Sequence, residues 1–398
     1  MTSPTVLAAP HRALFLIGVI QFTGLMAWWA AGLFSLAGFG PGLPAVISPS
    51  LLHAPVMLFL MLPPFFFGFL LTVFPRWIGF PDTPAIVFVP VAVAHGTAFV
   101  ALWLGLLGRT PTAIPAAFAL VALGWLRGLA YMASLLLAER RAGKAPTWHG
   151  WSALAAMATG LGCLIAALIG IVKLDGLMVH GANLMALWLF VLPVFVTVCH
   201  RMIPFFAGNV VAGYVQWRPF RVLAAFWVAS VTAAIAYVMQ VSGLAATANA
   251  ALALLTGAML CKWLPRSAAP GLLWVLIAGF AWAPAGFALI AYADLFAPDL
   301  GRAALHTLTV GMAGSLTVAM VTRVTQGHSG RPLAMPTAGW IAFTFMQTAA
   351  TLRLIAGLRH EDLATLAISA LMLAAGLLPW AVRSAGIYLS PRADGKPG

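Results

Sequence analysis

Acidic side chains are almost absent from this chain, with eight Asp and Glu among 398 residues and only 7% of residues charged in all. A water-soluble domain carries roughly a quarter charged residues. A chain that is 63% hydrophobic could not hide so much apolar surface from water, so lipid must be its main solvent. Cysteine is scarce too. Cys163, Cys199 and Cys261 form no close pair, which excludes a disulfide framework and a cysteine-based zinc motif. A Walker A loop, an HExxH motif, a CxxCH haem-attachment motif and a GxSxG elbow are all missing. Nucleotide hydrolysis, hydrolytic catalysis and covalent haem attachment are therefore not indicated. The net charge of +13 does not point to nucleic acid, because the basic residues are scattered through short loops rather than gathered in a patch or tail.

What remains is a succession of long apolar runs. A spanning helix needs about 20 mostly apolar residues, and backbone polarity forbids open sheets in lipid. The runs are continuous rather than alternating, which argues against a barrel. Twelve spans are expected, at 13–36, 51–74, 85–107, 113–138, 150–172, 177–203, 219–241, 246–264, 271–293, 302–325, 336–357 and 362–388. The chain 1–398 reads as one polytopic, all-α membrane domain. An even number of spans puts both termini on one side. Fifteen Lys and Arg, Lys396 included, fall on that side, against five on the other, Arg109 included. The bias places both termini in the cytoplasm.

Histidines open the second, sixth and tenth spans, in Leu52-His53-Ala54, Val179-His180-Gly181 and Leu305-His306-Thr307, at spacings of 127 and 126 residues. Arginines leave the same spans at Arg76, Arg201 and Arg323, at spacings of 125 and 122. This pattern predicts three pseudo-equivalent four-helix units, approximately 13–138, 150–264 and 271–388. Spans two, six and ten would form an inner ring, since repeats commonly build membrane domains around a shared site.

Ionisable groups inside a bilayer are costly and point to function. His53, His180 and His306 share one level, and His95 lies deeper in the third span. Neutral imidazole is a good ligand for haem iron and copper. Met57, Met61, Met178 and Met185 add thioethers nearby. His200, Arg201, Arg323, His328 and Arg331 would form a basic cluster at the opposite level, suited to an anion or to haem propionates, with positive-inside charge as the plain alternative. Arg127 falls mid-way along the fourth span and needs a partner there. Gly311 and Gly314 suit close approach of a helix or a flat cofactor. His149 and His360 read as loop residues, and His11 as a boundary residue.

The run from Leu305-His306-Thr307 through Arg323-Val324-Thr325-Gln326-Gly327-His328-Ser329-Gly330-Arg331-Pro332 resembles the signature of the NnrS family. Arg201-Met202-Ile203-Pro204-Phe205-Phe206 and Ser48-Pro49-Ser50-Leu51-Leu52-His53-Ala54 match it as well. The resemblance implies a multi-pass protein of the bacterial inner membrane that contains haem b and copper. It further implies a part in the nitric oxide response, nitrosative-stress resistance or denitrification. On that reading His53 and His306 hold haem, with Arg127 and Arg323 as further cofactor contacts. His180 and His95 would then stand near a second metal. Nitric oxide, the lipid bilayer and an electron donor are the implied partners. One departure stands out. Where the family reads His-Ala-His-Glu-Met, this chain has His53-Ala54-Pro55-Val56-Met57, so a second histidine and a carboxylate are missing. The layout is also similar to the catalytic subunit of haem–copper oxidases, although the adjacent His-His pair of those proteins is absent. Two other readings stay open: transport of a metal, haem or small anion, and catalytic transformation of nitric oxide.

Overall fold

In lipid, each segment must satisfy its own backbone hydrogen bonds, and the apolar runs do so as helices. The computed structural model describes residues 5–43, 47–108, 110 and 112–395, and among these there are no strands. Arg109 and Lys396, which entered the charge count, lie outside the described residues. Twelve helices are long and apolar enough to cross a membrane: α1 (Pro10–Leu36), α2 (Pro49–Trp77), α3 (Ala85–Leu106), α4 (Ala113–Arg141), α5 (Trp148–Lys173), α6 (Gly176–Val210), α7 (Phe220–Val238), α8 (Ser242–Trp263), α9 (Gly271–Phe296), α10 (Pro298–His328), α11 (Thr337–Leu358) and α12 (Leu363–Leu389). Each corresponds to one expected span. The largest difference is at the end of α6, which runs through Pro204 to Val210 instead of stopping at 203. Proline bends a membrane helix without having to end it.

The three histidine-bearing helices are the most buried. In their most apolar stretches 89% of α2 and 78% of both α6 and α10 is covered by the rest of the protein, against 33–61% for the other nine. These three also share a departure from regular α geometry. Each contains a π-helical segment: Val56–Met61 in α2, Leu187–Val191 in α6 and Thr307–Gly314 in α10. In α2 and α6 a proline follows closely, Pro63 and Pro193. A proline donates no N–H and crowds the carbonyl four residues back, and a widened turn relieves that crowding. In α10 the segment contains Gly311 and Gly314 instead. A Cβ on Gly311 would sit 2.6 Å from the Trp282 indole, and one on Gly314 would sit 2.7 Å from Met346 Sδ. These glycines therefore admit side chains of α9 and α11.

Both described ends of the chain lie on one face of the bundle. The buried Arg12 guanidinium, in the first turn of α1, donates to the carbonyls of Ile387 and Tyr388 at the end of α12, and also to Ser390. A cation at a helix C-terminus satisfies carbonyls that the helix itself leaves free. Beyond α12, the Ala393 amide donates to the Ser329 carbonyl past the end of α10. This face is called the terminal face below, and the other the far face.

Candidate functional site

On the far face, α1, α2 and α10 bring three rings together. His53 stacks on the indole of Trp29, with ring centres 3.8 Å apart and planes 19° apart. The His306 ring centre lies 6.2 Å from that of His53, with its plane only 10° off. His306 Nδ1 makes a 2.7 Å hydrogen bond with the Arg302 carbonyl one turn earlier. A carbonyl can only accept, so this bond fixes the proton on Nδ1 and leaves Nε2 as the lone-pair nitrogen. Metal-binding histidines are oriented in the same way. His53 Nδ1 is buried and has no partner. Both rings are half-buried at the edge of the bundle.

Arg353 of α11 completes this region. It is buried, and it pairs with Glu361 in the following turn at 3.0 Å. Its guanidinium lies 3.7 Å from where a Cβ on Gly357 would sit, beside the turn of α10 that carries His306. Gly357, one turn along α11, meets Ala303 of α10 so closely that an added Cβ would lie 2.2 Å from the Ala303 Cβ. This contact docks α11 on the turn of α10 that carries His306. In the sequence Arg353 counted only as one of the five basic residues on the side opposite the termini. The signal that could have singled it out was Glu361, one of the chain's eight acids, placed eight residues on.

The remaining predicted residues do not gather here. His180 starts α6 at the corresponding position but is exposed, and no described ring stacks on it. His95 in α3 is buried beside Phe67, with ring centres 5.8 Å apart, and both of its nitrogens lack a partner. Arg127 is exposed and donates to the Ile86 carbonyl in the first turn of α3 at 3.3 Å. This corrects its expected place at mid-membrane beside a cofactor. α4 has 29 residues, roughly 44 Å at about 1.5 Å per residue, so its mid-point need not lie mid-way through a hydrocarbon core of about 30 Å. Arg323 is 17 residues beyond His306 on the same helix, about 25 Å away, so one cofactor contact set cannot hold both.

The expected single basic cluster on the terminal face is instead divided. His200 shares a 2.9 Å hydrogen bond with His149, between His149 Nε2 and His200 Nδ1, and both rings are buried. Their outward nitrogens, His149 Nδ1 and His200 Nε2, have no partner. His149 is thus the second residue of α5, and not a loop residue as expected. One turn deeper, Ser152 and Thr197 repeat the α5–α6 contact at 2.6 Å. His328 faces His11, with ring centres 4.8 Å apart. Arg201 stacks over Trp77 at 4.8 Å, and Arg323 over Phe206 at 4.4 Å. Arg76 pairs with Asp82 at 2.8 Å, and this bond holds the Asp82 carboxyl below its usual range. Arg331 keeps one buried guanidinium nitrogen without a partner, while Arg383 donates to Gln326 Oε1 at 2.8 Å.

Among the described residues no three His, Cys, Asp or Glu side chains converge on one point. Comparison with curated proteins finds no match. A family model described as NnrS protein matches residues 5–392, nearly the whole length. This chain therefore belongs to the NnrS family.

Proposed function

We propose that this chain is a haem-binding protein of the bacterial cytoplasmic membrane that acts in the response to nitric oxide, with His53 and His306 as the residues that would hold the haem. One observation carries the haem reading: α2 and α10 bring the two imidazoles to 6.2 Å between ring centres. Two neutral imidazoles brought together from helices far apart in the chain are the paired nitrogen donors that a haem iron would take. The Nδ1 bond of His306 to the Arg302 carbonyl adds the orienting partner that such a ligand uses. Trp29 stacks on the His53 ring, and the buried Arg353 cation stands beside the turn of α10 that carries His306. Bound there, haem would supply one-electron chemistry and an iron able to bind nitric oxide. Membership of the NnrS family supports the link to nitric oxide.

The protein side chains do not fit a copper centre of three or more donors. His180 is exposed and His95 stands apart, and Pro55 and Val56 occupy the positions of the family's second histidine and carboxylate. The excess of Lys and Arg on the side of the termini supports a cytoplasmic terminal face. The burial and the shared π-helical segments of α2, α6 and α10 support three four-helix units with these as the inner members.

The test is metal analysis together with reduced-minus-oxidised spectra of protein purified from haem-supplied cells. A low-spin spectrum with stoichiometric iron is expected. Iron-free protein without a haem band would overturn the reading.

A further inference from the structure

Where α2, α6 and α10 converge on the terminal-face side of the bundle, they leave a cavity of about 40 Å³. It is lined from α2 by Phe66 and Phe69, from α6 by Val198 and Cys199, and from α10 by Thr317 and Met320, among others. Protein interiors are close-packed and hold few voids larger than a water molecule. This one persists at the junction of the three most buried helices.

Water is a poor occupant. A buried water needs two to four polar partners. The polar side chains lining the cavity are Thr317 and Cys199. The Thr317 hydroxyl already donates to the Ala313 carbonyl at 2.8 Å, and a thiol is a weak donor. An apolar cavity of this kind stays dry and takes apolar guests. Size narrows the class. The volume is several times the roughly 10–15 Å³ that one water needs, and far below the about 150 Å³ of a cavity that takes benzene. Charge narrows it further. Between the cavity and the terminal-face ends of the same three helices stand Arg76, Arg201 and Arg323, two of them folded onto Trp77 and Phe206. These cation–aromatic contacts place positive charge on that side of the cavity. An uncharged molecule that dissolves in lipid is not held back by that charge or by the apolar walls.

We propose that this axial cavity is a binding site for an uncharged diatomic gas. Phe66, Phe69, Val198 and Met320 supply the dispersion contacts, and no side chain supplies a hydrogen bond. The site is ten or more residues along each inner helix from its opening histidine, so it is separate from the His53–His306 pair and does not depend on a metal there.

Xenon is the probe, because it reports an apolar cavity without any redox chemistry. Purified full-length protein would be titrated with xenon and followed by 129Xe NMR, beside Val198→Phe, which fills the cavity, and Thr317→Val, which removes only the hydroxyl. A saturable xenon shift is expected in the wild type and in Thr317→Val, and its loss in Val198→Phe. A wild-type response that is linear in xenon and equal to that of Val198→Phe would overturn the site. If Val198→Phe does not fold, xenon-pressurised crystals of the wild type decide: density among Phe66, Val198 and Met320 supports the proposal, and its absence there refutes it. Loss of haem binding in the His53 or His306 variants would leave the xenon result unchanged.

Discussion

The imidazoles of His53 and His306 lie 6.2 Å apart between ring centres, with their planes within 10°. They come from α2 and α10, which are separated by more than 250 residues of chain. The arrangement is held by Trp29 on one side and by the Arg302 carbonyl on the other. His53→Ala and His306→Ala are each expected to abolish a low-spin bis-imidazole spectrum, because removing either ring leaves five-coordinate iron or none. His180→Ala, a change at an exposed side chain, is expected to leave the spectrum intact. Absorption and magnetic circular dichroism of the three variants check this. An unchanged spectrum in both His53→Ala and His306→Ala would refute the ligand pair.

Arg353 and Glu361 should act on the same centre in opposite directions. A positive charge near a redox group favours its reduced form, and a negative charge favours the oxidised form. One charge about 10 Å away at an effective dielectric of about 20 contributes on the order of 1–2 kcal/mol, or tens of millivolts. Arg353→Gln is expected to lower the midpoint potential by that order, since it removes the cation and leaves Glu361 uncompensated. Glu361→Gln is expected to raise it, by less, because Glu361 is nearer solvent than Arg353. Spectroelectrochemical titration reads both shifts. Shifts of equal sign would show that the pair acts through packing and not through charge.

The His149–His200 contact is expected to be structural. Each ring is fully or almost fully buried, and His149→Ala would leave His200 Nδ1 without its partner. An unsatisfied buried nitrogen costs about 1–3 kcal/mol. Denaturation in detergent should show a loss of that size, partly restored by His149→Gln, whose amide can still reach a neighbouring acceptor or donor. The haem spectrum should not change. If His149→Ala instead removed bound iron, the ligands would have to be sought on the terminal face.

The positions of the helices were legible because each span must be long, apolar and self-satisfied in its hydrogen bonds, and these demands are written in consecutive residues. The inner position of α2, α6 and α10 was legible from the recurrence of His and Arg at nearly one period. Facing was harder to read. His53, His180 and His306 recur at equal spacing, yet His180 is exposed and the other two meet. Spacing fixes the level of a residue along a helix, whereas the direction of its side chain depends on how the helix is rotated against its neighbours. The π-helical segments add to this, because each widened turn rotates everything beyond it by an amount the local sequence does not declare. His149 was hidden for a different reason. It stands next to Thr147 and Pro146, which read as a connector, although the helix begins at Trp148. Its pairing with His200 joins residues 51 apart. Arg127 misled because position along α4 was taken for depth in the membrane, and α4 is longer than the membrane is thick.

Gly357 offers a test of the far-face site that touches neither histidine. An added Cβ there would come within 2.2 Å of Ala303 Cβ and 3.7 Å of Arg353 Nη1. Ala303 sits on α10, three residues before His306, and has no flexible end that could swing away. Gly357→Ala must therefore push α11 from α10 by a large fraction of an ångström or more, at an overpacking cost of about 1–3 kcal/mol. A helical Gly→Ala change would otherwise stabilise by roughly 0.5–1 kcal/mol, so the sign of the effect is diagnostic. Gly357→Ala is expected to lower stability and to alter the ligand-field spectrum of bound iron, because the displacement falls on the turn that carries His306 and on the helix that carries Arg353. Gly181→Ala is the control, since nothing lies within 4 Å of the added carbon, and it should change neither. If Gly357→Ala proved stabilising with an unaltered spectrum, α11 would not be docked tightly on α10, and the part given to Arg353 would fall with it.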